Sequence, residues 1–266
     1  MGADTKQLRN RIKSVDSTLH LTRAMGLVAS SKIRRATDGM LKGRAYAAAV
    51  DEVVGMLTAC PECSRSPYLA QREGERVRYV VIAGDRGLAG GYNANIFRLM
   101  RDLPEGEVYP IGKRACERFH GKLNYAETYS YQDAAALAHQ LCEDFAAGEF
   151  DRLGIVSTRY VSMLTQEAQV EWILPLKKGE AKATGIIFEP DEVTMLAAVI
   201  HEYVAGKLMA AVRESFASEV AARRMAMDSA GKNAQEMIDN LQLAYNRARQ
   251  GAITQEITEI VAGSGQ

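Results

Sequence analysis

The sequence predicts an α/β protein dominated by two long helices, one at each end of the chain, paired as an antiparallel coiled coil with a smaller α/β domain inserted between them. Three observations lead there. All six prolines fall between Pro61 and Pro190, so both ends are free of helix breakers. The N-terminal segment carries one sustained apolar rhythm, and the C-terminal segment repeats it. The middle alternates short apolar runs with amphipathic stretches, the pattern of a strand–helix–strand domain.

The first helix is expected over 1–58. From Leu8, alternating steps of four and three reach Ile12, Val15, Leu19, Thr22, Gly26, Ala29, Ile33, Ala36, Met40, Gly43, Ala47, Val50, Val54 and Leu57. That is the seam of a coiled coil held for about 50 residues, or on the order of 75 Å of helix. A helix of that length outreaches any globular domain of this chain size and must protrude or act as a shaft. Its ends present Leu, Ile, Val and Met to the seam, while its middle presents Thr22, Gly26, Ala29, Ala36, Gly43 and Ala47. Each seam glycine costs about 1 kcal/mol of helix propensity relative to Ala. An unpartnered helix gains nothing in return, so a second helix must lie close.

The C-terminal segment, 190–263, supplies it. Leu196, Ile200, Val204, Leu208, Val212, Phe216 and Val220 form an apolar stripe, and from Met227 the seam continues through Gly231, Ala234, Ile238, Leu241, Tyr245, Ala248 and Ala252. Asp191 and Glu192 suit a helix start and Gly263 a stop.

A linker is expected over 59–75 and the α/β domain over 76–189. Arg76–Ala83 reads as a buried strand and Gly84–Asn93 as a turn. Ala94–Leu103 reads as a helix, Glu107–Gly112 as a strand and Lys113–His120 as a short helix. Asp133 is expected to cap a helix bearing Ala134, Leu137, Leu141 and Phe145, and Arg152–Thr158 and Gln169–Leu176 complete the sheet. The alternation implies a largely parallel, Rossmann-like sheet.

Composition narrows the function. Lys plus Arg equal Asp plus Glu at 33 each, which removes the electrostatic case for nucleic acid or an anionic membrane as partner. No stretch reads as a transmembrane segment or a signal peptide. The turn GDRGLAGGYN lies where a phosphate loop would, but it lacks the spacing of either standard cradle. Cys60 and Cys63 have CxxC spacing with no second ligand pair, and they close a helix rather than open one. The four histidines are scattered, with His20 and His201 expected on helix surfaces and His139 beside the Leu137–Leu141 face. No catalytic, cofactor or metal residue is expected. The first 57 residues carry ten Lys/Arg against five Asp/Glu, net +5, with Lys32, Arg34 and Arg35 clustered; from Asp191 onward there are seven against ten, net −3. An acidic sleeve around the basic helix is the sharper reading of that charge, a solvated face the plainer one.

Three segments resemble the γ subunit family of the F-type ATP synthase. They are Leu8–Arg35 (LRNRIKSVDSTLHLTRAMGLVASSKIRR), the turn GDRGLAGGYN, in which Gly84 and Ala89 stand for the family's Ser and Cys, and Tyr245–Gly263 (YNRARQGAITQEITEIVAG). The resemblance implies a central rotor stalk, non-catalytic and present in a single copy. It would couple proton or sodium-ion flow through the membrane c-ring to ATP synthesis or hydrolysis in a hexamer of alpha and beta subunits. The epsilon subunit would be a further partner, and the location the cytoplasmic face of a bacterial membrane rather than the mitochondrial matrix. Contacts with alpha and beta fall, by the family's pattern, around Met25 and on Arg249, Gln250, Thr254 and Glu256, to which Lys32, Arg34 and Arg35 are added from charge. Without the resemblance, a coiled-coil adaptor with a docking domain, paired as a homodimer, or a small α/β enzyme with helical arms would also fit.

Overall fold

The computed structural model describes residues 2–72, 74–179 and 186–263, the side chains of 2–4 and 256 aside. Nine principal elements follow one another: α1 (Gly2–Ala59), β1 (Val77–Ile82), α2 (Tyr92–Asp102), β2 (Gly106–Ile111), α3 (Lys113–Phe119), α4 (Tyr131–Ala146), β3 (Arg152–Tyr160), β4 (Gln166–Leu174) and α5 (Glu192–Gly263). They divide into two compact units. One joins the residues up to Ser30 with those from Arg223 onward; the other is Ser31–Ala222.

In the larger unit the strands lie in the order β2-β1-β3-β4. β1 runs parallel to β2 and β3, and β4 folds back antiparallel on β3. Because strand side chains alternate, β1 feeds two cores. Val80 and Ile82 join Leu153, Ile155 and Ile173 under α4 and α5, together with Leu57 of α1. Val77, Tyr79 and Val81 face α2, against Ile96, Phe97 and Met100. One 18-residue window of α5 is apolar enough to cross a membrane, at a mean hydropathy of 1.4, and 56% of it is buried inside the protein. Leu196, Ile200, Val204, Leu208 and Val212 of the stripe that the sequence shows are all buried.

Within this unit α1 packs antiparallel on α5 at small residues. A Cβ on Gly43 would meet the Ala210 Cα at 3.3 Å, and one on Gly206 would meet the Tyr46 ring at 2.7 Å. Charges flank the contact. Arg44 pairs with Glu214 at 2.6 Å, and Lys207 bridges Asp51 at 2.5 Å and Glu171 at 2.9 Å. Burial alone would lower the Lys207 pKa, but the two carboxylates hold it above its ordinary value.

Helix starts follow local chemistry. Asp191 accepts from the Thr194 N–H and hydroxyl, both at 2.8 Å, and these bonds hold its carboxyl below the usual range. For α4 the expected cap is corrected: Ser130 is the N-cap and Asp133 the third residue of a capping box. The N-cap lies three residues before Asp133 because the Ser130 hydroxyl accepts from the Asp133 N–H while the Asp133 carboxylate accepts from the Ser130 N–H. Its other end is closed by Arg72, which donates to the carbonyls of Phe145 and Phe150 at 2.7 and 2.6 Å and lies 4.4 Å over the Phe145 ring.

The stretch after α1 forms two short 3-10 turns, Pro61–Arg65 and Pro67–Leu69. Cys63 is buried there and its thiol is pushed up to about 11 by burial, with nearby acidic groups adding, so it does not supply a reactive thiolate at neutral pH.

Phe145 is fully buried, between Tyr68 at 6.3 Å and Phe150 at 5.3 Å. Phe145→Ala should destabilise the larger unit by about 3–5 kcal/mol, read as a lower urea midpoint in the fluorescence of Trp172, the single tryptophan. A second expectation concerns acid. Asp151 accepts from Arg76 at its backbone N–H (3.0 Å), Nε (3.1 Å) and Nη2, and the guanidinium holds its carboxyl below the ordinary value against the opposing effect of burial. A carboxyl lowered on folding stabilises fully above its unfolded pKa of about 3.9 and less as pH falls through the folded value. Asp151→Asn should therefore flatten the loss of stability on acidification below about pH 4.

Candidate functional site

Two places combine the sequence signals with a defined geometry: the turn after β1 and the helix pair of the smaller unit.

At the turn, the chain leaves β1 through Ala83 and enters α2 at Tyr92. In an open sheet a ligand binds beyond the carboxyl ends of the strands where the connections diverge. β1 is that strand, since its neighbours β2 and β3 lie on opposite sides. The position is filled by the protein itself. The Glu219 carboxylate of α5 accepts from the backbone N–H groups of Asp85 at 3.3 Å and Arg86 at 3.2 Å, the bonds a phosphate would otherwise take. A Cβ on Gly84 would lie 2.8 Å from the Glu219 carboxyl carbon, so glycine gives this side chain its room. Asp85 reaches the other way, accepting from the N–H groups of Lys113 (3.1 Å), Ala126 (2.9 Å) and Glu127 (2.9 Å). Asn93 accepts from the Gly84 N–H at 2.9 Å, and the Tyr92 hydroxyl donates to the Ser215 carbonyl at 2.9 Å. Burial pushes the Tyr92 hydroxyl far above its usual range, which keeps it a donor. The turn is a fastening between the α/β layers and α5. Glu219 had one sequence signal, a lone acid among Phe216, Ala217, Val220 and Ala221 on the buried stripe.

In the smaller unit, Leu19, Thr22, Gly26 and Ala29 of α1 are buried, as are Met227, Ala234 and Ile238 of α5. Leu8, Ile12 and Val15 are half-buried, and so are Leu241 and Tyr245. A Cβ on Gly26 would meet Arg224 at 3.1 Å and Met227 at 3.6 Å, and one on Gly231 would meet Thr22 at 3.6 Å. Partner numbers fall along α5 as they rise along α1, so the helices are antiparallel. Val15, Leu19, Ala234 and Ile238 form the apolar cluster of this unit, and Arg23 donates to Gln235 at 3.2 Å beside it.

The predicted contact residues divide by environment. Met25 is half-buried. Arg249, Gln250 and Thr254 are exposed on α5, whereas the side chain of Glu256 lies outside the described residues. Lys32, Arg34, Arg35 and the seam residue Ile33 belong to the larger unit. There Arg34 and Arg35 are exposed, Ile33 is half-buried, and Lys32 is engaged by Glu127 at 2.5 Å. Around the helix pair large apolar side chains face solvent, a feature the seam analysis passed over. They include Leu21, Leu27 at 68% exposure, Val28, Ile253, Ile257 and Ile260 at 70%.

A family model described as ATP synthase matches residues 4–265. The ATP synthase gamma chain of Moorella thermoacetica is 40% identical over 277 residues, covering 98% of each chain. The chain belongs to the ATP synthase gamma chain family. A gamma chain from Xanthomonas campestris pv. campestris is 39% identical over 287 residues, covering 98% of this chain and 99% of that one. Among solved structures, a chain of the Euglena gracilis mitochondrial ATP synthase in rotational state 3 superposes with a TM-score of 0.68 at 19% identity, covering 98% of this chain and 94% of that one. A chain of the central stalk and c-ring of the Tetrahymena thermophila enzyme gives 0.62 at 22%, covering 79% and 99%. The gamma-chain fold is thus shared at low identity, and the role is that of the family, a central-stalk subunit.

Glu219→Ala should leave the Asp85 and Arg86 N–H groups without their acceptor and destabilise the larger unit by about 2–3 kcal/mol. Faster amide exchange confined to residues 84–93 would accompany the lower urea midpoint.

Proposed function

We propose that this subunit is the turning shaft of an ATP synthase. Its antiparallel helix pair would sit inside a hexamer of three alpha and three beta subunits, and its α/β domain would lie toward the epsilon subunit and the membrane c-ring. The subunit itself is not catalytic. It transmits torque from proton or sodium-ion flow at the cytoplasmic face of a bacterial membrane. The observation that carries this reading is the surface of the helix pair. Leu21, Leu27 and Val28 of α1 remain exposed, and so do Ile253, Ile257 and Ile260 of α5 in the same stretch as Arg249, Gln250 and Thr254, as expected of a surface that another protein covers.

The mechanism follows from asymmetry. A single shaft within a threefold ring offers each beta subunit a different face, so the three sites differ in nucleotide affinity. Moving one site from 1:99 to 99:1 takes about 5.5 kcal/mol of differential contact energy. Hydrogen bonds to charged groups contribute about 1.5–3 kcal/mol each, so a few contacts from Arg249, Gln250, Thr254, Glu256 and the region of Met25 reach that figure. Arg34 and Arg35 offer exposed charge for an acidic partner, while Lys32 is already paired.

Co-expression with alpha and beta subunits should yield a complex with one copy of this chain per hexamer, measured by mass. A homodimer in its place would overturn the assignment. The double variant Arg249→Ala, Gln250→Ala should lower ATP turnover of that complex by about tenfold per 1.4 kcal/mol of lost differential contact while the isolated chain keeps its helical content. Unchanged turnover would remove both residues from the contact set.

A further inference from the structure

The fastening turn and the helix pair leave one group of side chains without a role. His139 and Glu143 lie one turn apart on α4, exposed, and His201 of α5 faces them, half-buried. Each offers one donor atom, and the three atoms lie within 4.8 Å of one another. The two imidazoles stack with centroids 4.9 Å apart and planes at 21°. His201 Nε2 stands 3.4 Å from a Glu143 oxygen. It is shielded from solvent and makes no hydrogen bond among the described residues, so the Glu143 carboxylate at ion-pair distance leaves its hydrogen-bonding capacity unmet. Cys142 does not join them. Its side chain is fully buried in the core and burial pushes its thiol up to about 12.

We propose that His139, Glu143 and His201 bind a first-row divalent transition-metal ion of the zinc type, which ties α4 to α5. The i, i+4 spacing puts two donors on one helix face, and the packing of α4 against α5 through Ala138, Cys142 and Ile200 brings up the third. Two imidazoles and one carboxylate suit zinc, copper or nickel, whereas magnesium and calcium require mostly oxygen. Tetrahedral donors bonded at about 2.0–2.2 Å lie roughly 3.4 Å from one another. The exposed His139 and Glu143 are free to close the present spacing by rotation, while His201 is held by its helix. Bound metal would satisfy the His201 Nε2 lone pair, which makes no hydrogen bond among the described residues. With three protein ligands, the remaining coordination falls to solvent, on the exposed side of the site. By mass action such an ion stabilises the folded larger unit. This inference rests on the side-chain cluster alone and stands apart from the shaft assignment.

Titration calorimetry on the full-length chain after chelator treatment tests it, with zinc chloride as probe and magnesium chloride as control. One equivalent of zinc should bind and magnesium should not. His139→Ala and Glu143→Ala alter exposed positions and should each weaken zinc by more than about a hundredfold, since loss of even an outer-shell partner costs roughly 10–100-fold. Circular dichroism should show the fold intact in both. Cobalt in place of zinc should give visible bands without thiolate charge transfer. Absence of saturable zinc binding, unchanged affinity in either variant, or a thiolate band placing the metal at Cys60 and Cys63 would each overturn the proposal.

Discussion

Two helix backbones come close only where neither carries a bulky side chain at the contact, and that constraint governs both units of this protein. Gly43 and Gly206 in the larger unit and Gly26 in the smaller one stand where an added Cβ would press on the opposite helix, and Gly231 faces Thr22 and Leu19 at ordinary contact distance. Each glycine weakens its own helix by about 1 kcal/mol relative to Ala, a loss that only the tertiary contact offsets. Leu, Ile and Val anchors then supply burial on either side, as at Leu19 with Ile238 and at Leu57 with Leu196. In the larger unit the pairing is charged along its flanks, where Arg44–Glu214 and Lys207 between Asp51 and Glu171 fix the register.

The second organising feature is a pair of buried carboxylates working in opposite directions. Glu219 extends from α5 to the backbone N–H groups of the turn after β1, and Asp85 extends from that turn to the backbone around α3 and before α4. Fully bonded, such groups specify one arrangement of layers; half-bonded, they would be costly. The sheet has the crevice where other domains of its kind hold a nucleotide, yet here a side chain of the same chain occupies it. Fold and function part company at this point for a concrete reason: the donor groups that would bind phosphate are already used.

The helix pair of the smaller unit shows the reverse economy. Its inner seam is buried at Leu19, Ala29, Ala234 and Ile238, but Leu27, Ile257 and Ile260 are left open to solvent. For a subunit whose family works inside a larger assembly, such a surface is a requirement rather than a defect.

Much of this was legible in the linear chain because it depends on near neighbours in sequence. From Leu19 to Leu57 every seam position at steps of three and four is buried except Ile33 and Val50, which are half-buried, so the seam is visible in the sequence directly. The glycines inside it signal a close partner, and the short apolar run of Arg76–Ala83 signals a buried strand. What depends on pairs far apart was not legible. Asp85 and Glu219 are 134 positions apart, and His139 meets His201 only because α4 and α5 share a core. The strand order β2-β1-β3-β4, and the division of α1 and α5 between two compact units, likewise come from packing. A local pattern determines which face of an element is apolar. Only the tertiary structure decides which distant polar group that face brings along with it.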